Sequence, residues 1–256
     1  MPTGRYDIII LGSGAGGGTL AHALANTSAN ILIIERGDFV PQEVENWDPE
    51  AVWKHLRYRT RETWLDHRGE SFLPYTHYCV GGNTKFWGSV LYRLRRQDFG
   101  EVEHVDGVSP AWPIDYDTLE PFYERAERLY QVHGECGIDP TEALRTPFPY
   151  PSVAHSHDMI DCVEQLQQQG LHPSSLPLGL QRPGEEGGCI LCNTCNSFPC
   201  FRHAKSDADI CCVKPALRET NVTLWTGAEA RRLLTDASGR RVEAVEVMQQ
   251  GKLRRV

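Results

Sequence analysis

Tyr6-Asp7-Ile8-Ile9-Ile10-Leu11-Gly12-Ser13-Gly14-Ala15-Gly16-Gly17 decides how the rest of the chain is read. Tyr6 to Leu11 is a short apolar run, long enough for one strand buried on both faces. It runs into a complete G-x-G-x-x-G. The next residues, Gly18 to Ala25, read as a helix with a small-residue face. Ile31-Leu32-Ile33-Ile34 is a second apolar strand, with Glu35 and Arg36 at its end.

Each residue type has a task in a dinucleotide site. Gly12 permits the tight turn, Gly14 lets backbone approach a pyrophosphate, and Gly17 lets helix and strand pack closely. Ser13 and Ala15 lie between them, where the helix N-terminus offers N–H groups and partial positive charge to phosphates. Glu35 follows Gly12 by 23 residues, where an acid hydrogen-bonds a ribose diol. An acid there favours an unphosphorylated adenosine ribose, hence FAD or NAD over NADP. Glycine-rich turns are common, but strand, glycines, helix, strand and acid in this order are specific.

The chain has 256 residues, a size for one large or two smaller domains. Its formal charge of −8 argues against a nucleic-acid surface. No stretch is long and apolar enough to cross a bilayer. The first strand begins within a few residues of Met1, which leaves no room for a signal peptide. The expected location is cytoplasmic, with export beside a signal-bearing partner left open.

A second informative stretch is Cys79-Val80-Gly81-Gly82-Asn83-Thr84-Lys85-Phe86-Trp87-Gly88. Paired glycines, small polar residues and an aromatic pair suggest backbone passing close to a flat ligand. With the first motif, it makes the chain resemble the glucose–methanol–choline (GMC) family of FAD-dependent oxidoreductases. The Gly-Gly-x-x-x-x-Trp form is most similar to the pyranose-oxidase and bacterial sugar-dehydrogenase branch. The resemblance implies that Gly81, Gly82, Asn83, Thr84, Trp87 and Gly88 line the isoalloxazine. Some members carry a flavin-bonded His at the position of Phe86, so FAD is expected to be non-covalent here.

The resemblance implies an α/β, Rossmann-like FAD-binding fold, with a mixed sheet, helices and a small β-meander. An inserted, incomplete substrate or cap region would interrupt it. The expected division is 1–100 for the first part of the FAD-binding domain and 101–204 for the cap region. Residues 205–256 would return to the FAD-binding domain.

Several local expectations follow in chain order. Residues 41–78 read as a short helix and loops. Asp117-Thr118-Leu119-Glu120 fits a capping box. Leu119, Phe122, Tyr123, Ala126, Leu129 and Tyr130 follow at helical spacing as core. Thr146 to Pro151 reads as a linker. A further helix carries Met159, Cys162, Val163 and Leu166 on one face and ends at Gly170, with Cys162 expected to be buried. Strands are expected at 221–225, 229–234 and 242–247. They resemble the family's meander, in which the residue matching Ala230 bonds the adenine through its backbone.

Six of the nine cysteines fall between Cys189 and Cys212. Cys189, Cys192, Cys195 and Cys200 make a C-x₂-C-x₂-C-x₄-C run. Such clustering points to a metal or redox site rather than a disulfide framework. The alternatives are an iron–sulfur cluster, a four-thiolate Zn²⁺ site, and plain thiols. Cys211 and Cys212 begin an apolar element and are expected to be buried.

The resemblance implies oxidation of a CH–OH group of a sugar, polyol or other alcohol by hydride transfer to flavin N5. With a cluster, electrons would leave for a cytochrome or quinone, as in a dehydrogenase rather than an oxidase. The family's catalytic His is expected beyond residue 256, so none of the ten histidines is assigned and the chain reads as an N-terminal fragment. The rival readings are an NAD-dependent dehydrogenase and a non-catalytic iron–sulfur or Zn module.

Overall fold

The computed structural model describes residues 5–256. The chain divides into two compact units, one of residues 1–88 with 192–256 and one of residues 89–191.

In the first unit, β1 (Ile8–Leu11), α1 (Ala15–Leu24) and β2 (Ile31–Ile34) follow the expected order. β3 (Val222–Trp225) completes a three-stranded parallel sheet with β2 in the middle. All four β2 residues are buried, which explains the unbroken apolar run. Ile31 and Ile33 pack with Ile10, Ala21, Ala25, Ala216 and Val222 on one face. Leu32 and Ile34 pack with Ala228, Val245 and Val247 on the other. The side-chain period of two thus sends alternate β2 residues into two cores.

Those second-face partners come from an antiparallel meander of β4 (Ala228–Thr235), β5 (Val242–Gln249) and β6 (Lys252–Arg255). Residues 221–225 therefore belong to the parallel sheet rather than to the meander, because β3 pairs in register with β2. The stretch 41–78 forms two short helical turns and a two-residue hairpin, Trp64–Leu65 with Ser71–Phe72.

The second unit holds α2 (Tyr116–Leu129) and α3 (His157–Gln168). The α2 cap is Asp115, two residues before the expected capping box: its carboxylate accepts from Thr118 N at 2.8 Å. Glu120 does not fold back to the helix start but reaches Arg93 and Thr146. Tyr116 and Tyr130 are buried, whereas Phe122, expected in the core, is exposed. The expected linker ends as a short strand, Tyr150–Pro151, paired with Val132–Gly134. Leu178–Gly179 pairs on the other side of Val132–Gly134. α3 has no buried residue, so Cys162 is exposed rather than packed. Among the described residues, no helix is long and apolar enough to cross a membrane.

Candidate functional site

The site lies in the first unit, where β1 ends. Gly12 takes a left-handed conformation (φ 89°) that L side chains rarely adopt, and so turns the chain out of the strand. A Cβ on Gly17 would lie 2.0 Å from Gly12 O, so only glycine lets α1 pack on the turn. α1 starts at Ala15 with Gly14 as its cap, no capping side chain and no acid in its first turn. Its N-terminus therefore presents amides to an anion with no carboxylate from its own first turn in the way.

The second glycine-rich stretch meets the first. Gly81 and Gly82 are both left-handed (φ 89° and 55°). A Cβ on Gly82 would lie 3.2 Å from the Gly14 Cα. Ser13 joins the two loops and the end of β2. Its Oγ donates to Glu35 Oε2 at 2.6 Å and accepts from Gly81 N at 3.2 Å. Ser13 N also donates to Glu35 Oε2 at 3.0 Å, and Gly37 N donates to Oε1 at 2.9 Å. Glu35 is thus a buried brace of the turn. A carboxylate offers about four lone-pair sites, so these three bonds leave Oε1 one acceptor position. Arg36 lies half exposed, stacked over Tyr78 at 4.1 Å and paired with Glu62 at 2.6 Å.

In the second loop, the Asn83 side-chain oxygen and the Thr84 hydroxyl are spent on the protein. Asn83 Oδ1 accepts from His77 N at 2.9 Å. Thr84 Oγ1 donates to Gly81 O and accepts from Ala208 N. Thr84 can offer a flat ligand only its backbone, whereas the exposed Asn83 also keeps its side-chain NH₂. Phe86 is buried, stacked on the His77 ring at 3.6 Å between centroids, with Tyr58 at 5.9 Å. Burial pushes the His77 imidazole down to about 4, so it is neutral near pH 7.

Beneath the loop lies a charged cluster that sequence reasoning missed. Lys85 Nζ sits 3.1 Å from Asp207 Oδ2 and 3.0 Å from Asp209 Oδ2, all deeply buried. The Asp207 contact is an ion pair off the hydrogen-bond angle, and Asp209 Oδ1 has no hydrogen-bond partner. Burial opposes the Lys85 charge, but the two aspartates outweigh it and hold the ammonium above its ordinary value. Burial raises Asp207 in turn. A Cβ on Gly81 would lie 3.0 Å from the Asp209 Cβ and from Lys85 Cδ, so the cluster also enforces glycine there. Lys205, buried nearby, is pushed down to about 8 by desolvation. The only hint in sequence was the family-like Ala204-Lys205-Ser206-Asp207-Ala208.

Ala230 sits in β4 at a register shift: it pairs with Val247, while Arg232 already pairs with Glu246. A bulge of this kind leaves ladder groups without a strand partner.

The four cysteines of the C-x₂-C-x₂-C-x₄-C run divide between the units, Cys189 in the second and Cys192, Cys195 and Cys200 in the first. Cys192 is exposed with Sγ 3.0 Å from Thr194 Oγ1, and Cys200 Sγ accepts from Ala204 N at 3.4 Å. Among the described residues, no three His, Cys, Asp or Glu side chains are grouped to hold a metal ion. Cys211 and Cys212 are buried, as expected.

The chain is 31% identical over 260 residues to 6'''-hydroxyparomomycin C oxidase of Streptomyces lividus, covering 98% of this chain and 46% of that protein. It is 30% identical to paromamine 6'-oxidase of Streptomyces fradiae, covering 90% of this chain and 42% of that one. The chain spans about half the length of the curated relatives it matches. Pyridoxine 4-oxidase from Mesorbium loti superposes with a TM-score of 0.58 at 19% identity, over 98% of this chain and 48% of that one. An FAD-dependent oxidoreductase from Chaetomium thermophilum superposes with a TM-score of 0.60 at 14% identity, over 98% and 44%. These likenesses carry the fold, a Rossmann-like FAD-binding one. The sequence profile of GMC oxidoreductases matches residues 6–256, and the chain belongs to the GMC oxidoreductase family.

Proposed function

We propose that this chain binds FAD non-covalently and serves an oxidoreductase acting on CH–OH groups of a sugar, polyol or other alcohol. The observation that carries the reading is the junction of the two glycine-rich loops, with Ser13 hydrogen-bonded to both Glu35 and Gly81. One loop suits a pyrophosphate and the other a flat ring, and they meet at a distance only glycines allow.

Gly12, Ser13, Gly14, Ala15 and Gly17 form the turn and helix start for the pyrophosphate. Glu35 gives its remaining acceptor position to the ribose, with Arg36 beside it. Gly81, Gly82, Asn83, Thr84, Trp87 and Gly88 lie along the isoalloxazine, Thr84 through its backbone. Ala230 meets the adenine through its backbone at the bulge. Bound flavin supplies a hydride acceptor for alcohol oxidation. The chain's own residues position it. Phe86 has no ring nitrogen to bond to flavin and is stacked on His77. The relatives named for paromomycin and paromamine favour a carbohydrate hydroxyl as substrate.

The test is to mix the purified chain with FAD, remove unbound ligand and record the visible spectrum. Retained flavin that acid precipitation releases into solution is the expected result. Retention of NAD but not FAD would overturn it. Turnover is assayed on aminoglycosides, hexoses and polyols with oxygen uptake followed in parallel. Uptake matching product marks an oxidase. Turnover with artificial electron acceptors alone marks a dehydrogenase.

A further inference from the structure

Lys205 is 1% exposed. Its Nζ donates to four backbone carbonyls: Lys85 O and Trp87 O, each at 2.9 Å, Cys195 O at 2.6 Å and Phe198 O at 2.7 Å. An ammonium has three N–H donors, so four oxygens saturate it with one N–H shared between two of them. Two belong to the glycine-rich loop proposed to face the flavin, and two to the cysteine-rich loop. Between them, Phe86 O accepts from Ser197 N at 2.7 Å. Three successive carbonyls, 85 to 87, are thus committed to Lys205 and the cysteine-rich loop.

A buried charge is costly unless it is fully hydrogen-bonded. Filling this space alone would call for Met or Leu. The carbonyl cage is what a small cation selects, and bonds from a charged donor are roughly twice as strong as neutral ones. The glycine-rich loop needs such a fixture. It carries two adjacent left-handed glycines, the residue type with the widest backbone freedom.

We propose that Lys205 is the positioning residue of the glycine-rich loop, a tethered cation that locks backbone 85–87 to backbone 195–198. Any change in the cysteine-rich loop then reaches the proposed flavin loop through Lys205 Nζ and the neighbouring Ser197 N–Phe86 O bond. The clamp rests on the FAD reading only for what the loop faces.

The test replaces the cation and then returns it. Lys205→Ala removes a fragment equal to n-propylammonium, and 1-propanol is its neutral counterpart. Hydrogen exchange of segments 82–88 and 193–200 is followed in the full chain, together with FAD affinity. In Lys205→Ala, both segments should lose protection together by roughly tenfold or more, and FAD should bind correspondingly more weakly. n-Propylammonium should restore both; 1-propanol should not. If the variant folds only on refolding with n-propylammonium, the clamp is equally supported. No difference between the two additives overturns the proposal, whether or not the variant folds alone. Loss of protection in one segment only also overturns it. If the unaltered chain binds no FAD, the cofactor reading fails, while exchange still judges the clamp.

Discussion

Gly14 and Gly82 meet backbone to backbone: a Cβ on Gly82 would lie 3.2 Å from the Gly14 Cα and 3.7 Å from its N. Gly82 is also left-handed, at φ 55°. Gly82→Ala therefore pays twice, about 1–2 kcal/mol for the conformation and more for spreading the loops. The expected outcome is a folded protein whose FAD affinity falls by about tenfold or more. Flavin-fluorescence titration measures it, and unchanged affinity would remove this junction from the binding site.

Gly16 and Gly17 are neighbours in α1 with opposite expectations. A Cβ on Gly17 meets Gly12 O at 2.0 Å, Gly12 C at 3.0 Å and the Ile10 side chain at 3.1 Å, whereas one on Gly16 meets nothing within 4 Å. Gly17→Ala should destabilise by about 1–3 kcal/mol or more, as overpacking does. Gly16→Ala should be neutral or stabilising by up to about 1 kcal/mol from helix propensity. Urea denaturation of the pair gives the comparison. Equal losses would mean that α1 does not pack on the turn this way.

The difference between these neighbours was readable in sequence, because G-x-G-x-x-G assigns its glycines by local spacing. β2 was equally legible, since Ile31 to Ile34 is buried on both faces. The strand Val222–Trp225 was recognised, but its partner was not: a four-residue apolar strand reads alike in a parallel sheet and in a meander. Asp115 and Asp117 both suit a helix start, and only the bond to Thr118 N distinguishes them. The role of Lys205 was invisible for a different reason. Its partners are carbonyls, which every residue has, brought together from positions 85, 87, 195 and 198. The exposed face of α3 contradicts a helical pattern that sequence alone reads as core.

His77 should make stability fall in mild acid. Its folded-state value is lowered from 6.5 to about 4 by burial, against a smaller opposing effect of the Asn83 hydrogen bond. The unfolded chain takes up the proton near 6.5, the folded chain near 4. Between these values the unfolded state holds more protons, so stability is complete above pH 6.5 and drains away as pH falls toward 4. The loss approaches about 3 kcal/mol at one pKa unit per 1.4 kcal/mol. His77→Phe keeps a ring against Phe86 and cannot titrate. The stability difference between the two proteins should therefore change between pH 7 and pH 4. A constant difference would show that His77 titrates normally.

In the second unit, Glu127 is shared by two buried arginines. Its carboxylate accepts from Arg93 Nε and Nη2 at 2.8 and 2.9 Å, and from Arg145 Nη2 at 2.7 and 2.6 Å. Side-chain exposure is 5% for Arg93, 3% for Arg145 and 5% for Glu127, so water cannot replace the carboxylate. Arg93 keeps Glu120 at 2.9 Å, and Arg145 keeps Glu142 at 3.5 Å and the Phe148 ring at 3.6 Å. These remaining partners do not match a bidentate acid. Glu127→Ala leaves two desolvated guanidinium groups under-compensated and should cost about 3–5 kcal/mol. Glu127→Gln keeps the shape but loses the charge, and its cost should be similar, because the amide NH₂ also faces donors. Glu127→Ala with Arg145→Met removes one orphaned cation and should recover part of the loss. A double-mutant cycle in urea measures the coupling. Additive effects of the two substitutions would mean that the arginines are held by their other partners, not by Glu127.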